Sequence, residues 1–255
     1  MLIFLIGLSL LGPVFVEHDP MQTNPQRQFQ PSDETHLLGT DLLGRDVLSR
    51  TLQGGRRSLF IAAIATSIAV IPGLLLGILT AGEHFPLAKL MLLLLNAFLA
   101  IPGLILALVV IALLGRNIAS LIVAVGLSQI AGFAVVVRSA VLSVWSESYV
   151  DAAISIGAAK RHIILVHILP AVQQVILAYA GVVFSYALLN SAALTFLGLG
   201  GEPGVPDWGT MLADGRAAFR TAPWVAFAPG VMIALTVGVV NHLADQVQFN
   251  RTHRR

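Results

Sequence analysis

YVDAAISIGAAKRHIILVHILP, residues 149–170, is the only long segment outside the apolar blocks of this chain that is rich in small residues. Asp151, Ala152, Ala153 and Gly157 form a cluster with almost no side-chain bulk. Such a surface lets another protein approach the backbone closely. Lys160, Arg161 and His162 put polar groups on the following turn, and Pro170 ends the segment where a new apolar block begins. The spacing predicts two short helices broken at Gly157. An ordinary connection between membrane helices needs no such pattern.

This segment resembles the Glu-Ala-Ala loop of bacterial ABC importer permeases. That pattern runs Glu-Ala-Ala, three residues, Gly, nine residues, a hydrophobic position, any residue, then Leu-Pro. Here it reads Asp151-Ala152-Ala153, three residues, Gly157, nine residues, then His167-Ile168-Leu169-Pro170. Asp151 replaces Glu, and His167 stands where an aliphatic residue is common. The resemblance implies that Asp151, Ala152, Ala153, Gly157, Lys160, Arg161 and Pro170 belong to a cytoplasmic coupling loop that docks on an ATPase subunit. The plain alternative is a pair of amphipathic surface helices that bind no partner.

Composition places the chain in a bilayer. It has 255 residues, 56% hydrophobic and 11% charged, with a mean hydropathy of +0.85. A soluble domain carries about 25% charged residues. Cysteine is absent, which excludes disulfides, thiol catalysis and cysteine-based metal sites. His84, His162, His167 and His242 are too scattered in sequence to suggest a metal site. No basic run has the aromatic interleaving of a nucleic-acid surface.

Six uncharged or nearly uncharged blocks read as transmembrane helices. Met1–Val16 is short for a span, which needs about 20 residues. A cleaved signal peptide is the alternative, but no basic lead-in or small-residue cleavage site accompanies it, so it reads as a first helix with a short lead-in. The others are Ser58–Thr80, Leu90–Gly115, Ile118–Val137, Ala171–Gly201 and Thr221–Asn241. This divides the chain into 1–57, a first helix and external loop; 58–247, a five-helix core; and 248–255, a basic tail.

Two further stretches carry family resemblance. HLLGTDLLGRDVLSRTLQGGRRS, residues 36–58, resembles the Gly-Thr-Asp-x-x-Gly-Arg-Asp segment of the dipeptide, oligopeptide and nickel permease subfamily through Gly39, Thr40, Asp41, Gly44, Arg45 and Asp46. From Asp46 onward a short amphipathic helix is expected along the membrane surface. Asp41, Arg45 and Asp46 are placed to pair locally; a solvated helix start explains them at least as well as a substrate contact. Residues 193–216 resemble the subfamily's Phe-Leu-Gly-Leu-Gly…Trp-Gly segment through Thr195, Phe196, Leu197, Gly198, Leu199, Gly200, Trp208 and Gly209. The resemblance implies an external loop near the outer gate and the solute-binding protein.

Asp, Glu, Lys and Arg are absent from the five long apolar blocks. Ion-coupled carriers usually need such groups as ion sites, and no phosphate-cradling Gly-x-x-x-x-Gly-Lys-Ser/Thr loop is present. A stand-alone secondary carrier, the rival reading, would need an ion site or a continuous polar stripe. The resemblance therefore implies an all-α, multi-pass permease of about six helices in a bacterial inner membrane. It would bind no cofactor itself and would work with a second permease, two ATP- and Mg-binding ATPase subunits and an extracytoplasmic binding protein. The implied cargo is short peptides, with nickel or metal chelates as the alternative. Asn96, Gln129, Tyr186 and Asn190, with Gln173, Gln174 and Tyr179, are the candidate path-lining residues; for each, hydrogen bonding between helices is the competing role. Lys and Arg divide almost evenly between the two sides, so the positive-inside rule does not support cytoplasmic termini. That orientation rests on the resemblance and on the basic C-terminus.

Overall fold

The computed structural model describes residue 7 and residues 18–82, 87–202 and 204–252. The expected first span therefore lies almost wholly outside the described residues, as does the end of the basic tail. The described chain is helical and without strands: α1 (Val47–Ala81), α2 (Ala88–Leu99), α3 (Gly103–Leu114), α4 (Ile118–Trp145), α5 (Ser148–Ser155), α6 (Lys160–Phe196), α7 (Trp208–Arg216) and α8 (Trp224–Thr252). Among the described residues, α1, α4, α6 and α8 are long and apolar enough to cross a membrane, and the bent pair α2–α3 makes a fifth crossing if it counts as one span.

The helices run further than the uncharged blocks. No separate surface helix follows Asp46; residues 47–57 are the first turns of α1, so the division expected at residue 57 falls inside a helix. Asp46 caps it by accepting the Ser49 N–H at 2.7 Å. Pro72 lies inside α1 without ending it, as neighbouring helices permit in membrane proteins. Nor does Arg138 end α4, which continues to Trp145. Its Nε instead donates to the Thr80 carbonyl at the end of α1, at 3.2 Å.

Conversely, the block 90–115 is not one straight helix. It turns by 93° between α2 and α3. Pro102 forces this, because its ring disfavours helical geometry at the residue before it, and its own backbone is extended.

At the centre α1 packs along α4 through small residues. A Cβ on Gly77 would lie 2.7 Å from the Ala134 carbonyl oxygen, and one on Gly126 would lie 2.9 Å from that of Ala65. Close backbone approach of this kind is how helices associate where lipid removes the hydrophobic drive. Two apolar clusters fill the bundle. One, with Ile61, Ala65, Leu121, Val125, Leu188 and Trp208, lies toward the cap formed by residues 18–46 and α7. The other, with Phe133, Val137, Val144, Val150 and Ile168, lies toward α5. Large apolar side chains such as Leu75, Leu93, Leu113 and Leu177 are exposed around the outside, a surface suited to lipid.

Candidate functional site

The small-residue loop begins with α5. Val150 and Ala153 point inward and are buried against the bundle, while Asp151, Ala152 and Ser155 stand exposed. Gly157 ends the helix with φ +82°. The Ala158 N–H reaches the Ala153 carbonyl at 3.0 Å and the Gly157 N–H reaches that of Ile154 at 2.9 Å. This double bond pattern is a Schellman cap, which wants glycine at the left-handed position. No atom lies within 4 Å of where a Gly157 Cβ would be. Beside it Ile156 is 85% exposed, a large apolar side chain at the loop tip that sequence reading did not single out.

The second expected helix is not a separate element. Lys160, Arg161 and His162 form the exposed first turn of α6, followed by a six-residue π-helical stretch, Ile163–Ile168. Pro170 therefore does not close the loop; it sits inside a 37-residue helix. Lacking an N–H and crowding the carbonyl four residues earlier, it is tolerated where the π turn has already widened the backbone. The Leu169 N–H there bonds Ile164 rather than the residue four back. His167 lies ring to ring with Tyr149 at 6.1 Å and with His162 at 6.0 Å, so it braces the loop's two limbs.

At the opposite end, Gly-Thr-Asp-x-x-Gly-Arg-Asp builds a tight buried turn rather than a solvated one. Gly39 and Gly44 take φ of +71° and +69°, and a Cβ on Gly44 would lie 1.8 Å from the Asn24 carbonyl oxygen. The Thr40 hydroxyl accepts the Gln30 N–H at 2.9 Å and donates to the Arg27 carbonyl. Asp41 accepts the N–H groups of Leu43 and Arg45 at 2.8 and 3.0 Å. Its other oxygen takes Arg45 Nε at 2.7 Å and Arg50 Nε at 3.3 Å. Asp46 caps α1 and meets His36 Nδ1 at 3.0 Å. Every one of these side chains is buried.

The pairing is not merely local. Arg45 and Arg50 also reach Asp214 of α7 at 3.4 and 3.6 Å, and Arg50 donates to the carbonyls of Pro20 and Gly204. The Asp214 carboxyl is held above the ordinary aspartate value, because its desolvation outweighs the attraction of Arg50 and Arg45. Arg50, Asp214 and Asp207 were missed by sequence reading. Only a charge inside a helix start hinted at Arg50, and nothing local at Asp214.

Gly198 and Gly200 carry positive φ, which gives α6 the tight exit expected there. Leu197 and Gly198 are exposed, and Phe196 lies under the Arg216 guanidinium at 5.8 Å. Trp208 does not sit in an irregular loop but opens α7, fully buried. Asp207 caps that helix with a reciprocal Thr210 contact and accepts the Thr195 hydroxyl at 2.8 Å. The Trp208 indole N–H reaches the Thr51 carbonyl at 2.8 Å. Gly209 passes so close to α6 that a Cβ would lie 2.0 Å from Thr195 Oγ1. Trp224, at the start of α8, donates from its indole N–H to the Thr40 carbonyl at 3.1 Å. The two cap signatures thus form one unit.

The path candidates are not brought together. Tyr186 and Asn190 lie one turn apart on α6, while Asn96 and Gln129 sit on α2 and α4. Asn96, Gln173 and Tyr186 are exposed, and Gln129, Gln174, Tyr179 and Asn190 are half-buried. Among the described residues none makes a side-chain hydrogen bond, so the role of joining helices falls elsewhere. Ser185 makes such a link, donating from α6 to Asn241 Oδ1 of α8 at 2.9 Å. His242 pairs with Gln246 at 3.0 Å, not with Asp245.

Residues 73–252 match the family model described as the binding-protein-dependent transport system inner membrane component. The chain is 34% identical over 250 residues to the di/tripeptide transport system permease protein DppC of Pseudomonas aeruginosa, covering 96% of this chain and 82% of that one. It is 35% identical over 210 residues to the glutathione transport system permease protein GsiD of Pectobacterium atrosepticum, covering 82% and 70%. Its fold is similar to that of the MetNI methionine ABC transporter in an inward-facing conformation, with a TM-score of 0.66 at 18% identity over 78% of this chain and 94% of that one.

Proposed function

From the premise that this chain belongs to the family of binding-protein-dependent transport system inner membrane components, we propose that it forms half of the path by which short peptides are imported at the expense of ATP hydrolysed elsewhere. The observation that carries the reading is α5 with its Gly157 cap. The buried Val150 and Ala153 brace it from behind, and its outer face exposes Asp151, Ala152 and Ser155 together with the apolar Tyr149, Ile154 and Ile156. A partner that docks there is held against the bundle rather than against a loose loop. The peptide cargo is supported by relatives named for di/tripeptide, dipeptide and glutathione transport.

In this reading the chain is a non-catalytic subunit that binds no nucleotide. A second permease, two ATPase subunits and an extracytoplasmic binding protein complete the assembly. The α5 loop and both termini face the cytoplasm, and the cap faces outside. When the ATPases close, α5 moves and carries the base of α6 with it, rocking the bundle between two states. The test is ATP-driven peptide uptake by the reconstituted assembly. Replacing Gly157 by Trp, or Ile156 by Asp, abolishes uptake while the ATPase subunits still hydrolyse ATP. Normal uptake by both variants refutes the docking assignment.

A further inference from the structure

Where α1 meets the cap there is a cavity of about 650 Å³, within the roughly 300–1,000 Å³ typical of small-molecule sites. Its lining combines apolar Phe60, Phe184 and Pro206 with polar Gln53, Arg56 and Arg57. The two arginines differ from those of the cap. Arg45 and Arg50 are taken up by Asp41, Asp214 and backbone carbonyls. Among the described residues Arg57 has one partner, Glu202, at 3.2 Å, and that carboxylate is 55% exposed. Among the described residues the second terminal nitrogen of Arg57 is buried without an acceptor, and Arg56 is exposed with no ion pair.

Resting on the reading above as a peptide permease, we propose that this cavity takes the C-terminal carboxylate of the peptide in transit, with Arg57 as its receptor and Arg56 at the rim. A guanidinium fork matches a carboxylate with two parallel bonds. The unfilled nitrogen of Arg57 is the donor such a ligand completes. Glu202, exposed and singly bonded, is the group the incoming carboxylate displaces. Gln53 is placed for the last peptide amide, and Phe60 and Phe184 for the terminal side chain. The arginines sit at the end of the helix, beside the cap, and so avoid the cost of charge at the middle of a membrane.

The experiment uses the complete transporter in proteoliposomes, loaded with ATP, and measures uptake of trialanine and of trialanine amide across a concentration series. Arg57→Gln raises the KM for trialanine on the order of tenfold, the loss of one charge-assisted bond, and leaves that for the amide unchanged. Arg57→Lys restores part of the difference. The same binding protein serves every variant, so its own preference cancels in the ratio. Glu202→Gln, at an exposed position that does not endanger folding, lowers the KM for trialanine. An equal loss for both peptides overturns the proposal and assigns Arg57 to contact with a neighbouring subunit. So does a trialanine KM that Arg57→Gln leaves unchanged or that Glu202→Gln leaves unchanged or raises. A wild-type assembly that moves neither peptide with ATP refutes the permease reading itself, not the site.

Discussion

Replacing Asp41 by Asn tests whether the cap is held by charge. The two side chains have nearly the same shape, and the amide oxygen still accepts the N–H groups of Leu43 and Arg45. What changes is the oxygen that takes Arg45 at 2.7 Å and Arg50 at 3.3 Å. In its place an amide NH₂ faces two guanidinium groups. Arg45, Arg50 and Asp41 are 6%, 2% and 2% exposed, so water cannot take over. Of the carboxylates paired with the two arginines only Asp214 remains, farther off and with a side chain 42% exposed, beside the neutral carbonyls of Pro20 and Gly204 that Arg50 also meets. Removing one partner of a buried ion pair costs about 3–5 kcal/mol, and here two cations lose it together. For a chain of this size that corresponds to a fall in melting temperature of roughly 6–20 °C. Asp214→Asn removes longer, half-exposed pairs and costs at most about 1 kcal/mol. Thermal unfolding of the purified protein in detergent, followed by intrinsic tryptophan fluorescence, compares the two. A fall for Asp41→Asn no larger than that for Asp214→Asn refutes the claim that buried charge holds the cap.

Three further substitutions separate tight positions from open ones in the same melting assay. Gly209→Ala places a methyl 2.0 Å from Thr195 Oγ1 and 2.3 Å from the Ala192 carbonyl; overpacking of this kind costs about 1–3 kcal/mol, and an unchanged melt contradicts the close approach of α7 to α6. Gly157→Ala meets no atom within 4 Å, so only the left-handed backbone opposes it, at about 1–2 kcal/mol, confined to the loop; a large loss of global stability contradicts that openness. Ser185→Ala removes the α6–α8 bond to Asn241, and such bonds between membrane helices average about 0.6 kcal/mol, so the melt moves by no more than a few degrees.

The sequence was most legible where a residue's role is local. Gly39, Gly44 and Gly157 stand where their backbones need positive φ, and Asp46 stands where a helix needs a cap. Spans were harder to bound, because charge was taken as the edge of an apolar block. Arg50 and Arg138 lie inside helices, since one meets carboxylates and the other a helix-end carbonyl. Pro102-Gly103 bends its block by 93° while Pro72-Gly73 lies inside α1 without ending it. Local sequence does not distinguish the two; what neighbouring helices supply to each does. Asp214 stands 169 residues from Arg45, so no local pattern announces their pairing. The path candidates are spread over α2, α4 and α6, and polarity alone does not say which helix face meets a neighbour.

The two ends of the bundle are built from opposite materials. At the cap, two signatures from distant parts of the chain interlock through buried charge, a capped α7 and the Trp224–Thr40 bond, so α1, α6, α7 and α8 are tied together there. At the other end, α5 rests on the bundle by two buried side chains and joins α6 through an open Gly157 and a π-helical stretch. π turns forgo regular hydrogen-bond spacing and often mark functional sites. On the reading proposed above, a force applied at α5 is passed to a 37-residue helix whose far end is anchored at the cap. A bundle rigid at both ends would not move when pushed, and one soft at both ends would dissipate the push before it reached the cap. On that same reading, α6 is the continuous helix that carries motion from the braced α5 loop to the fixed cap.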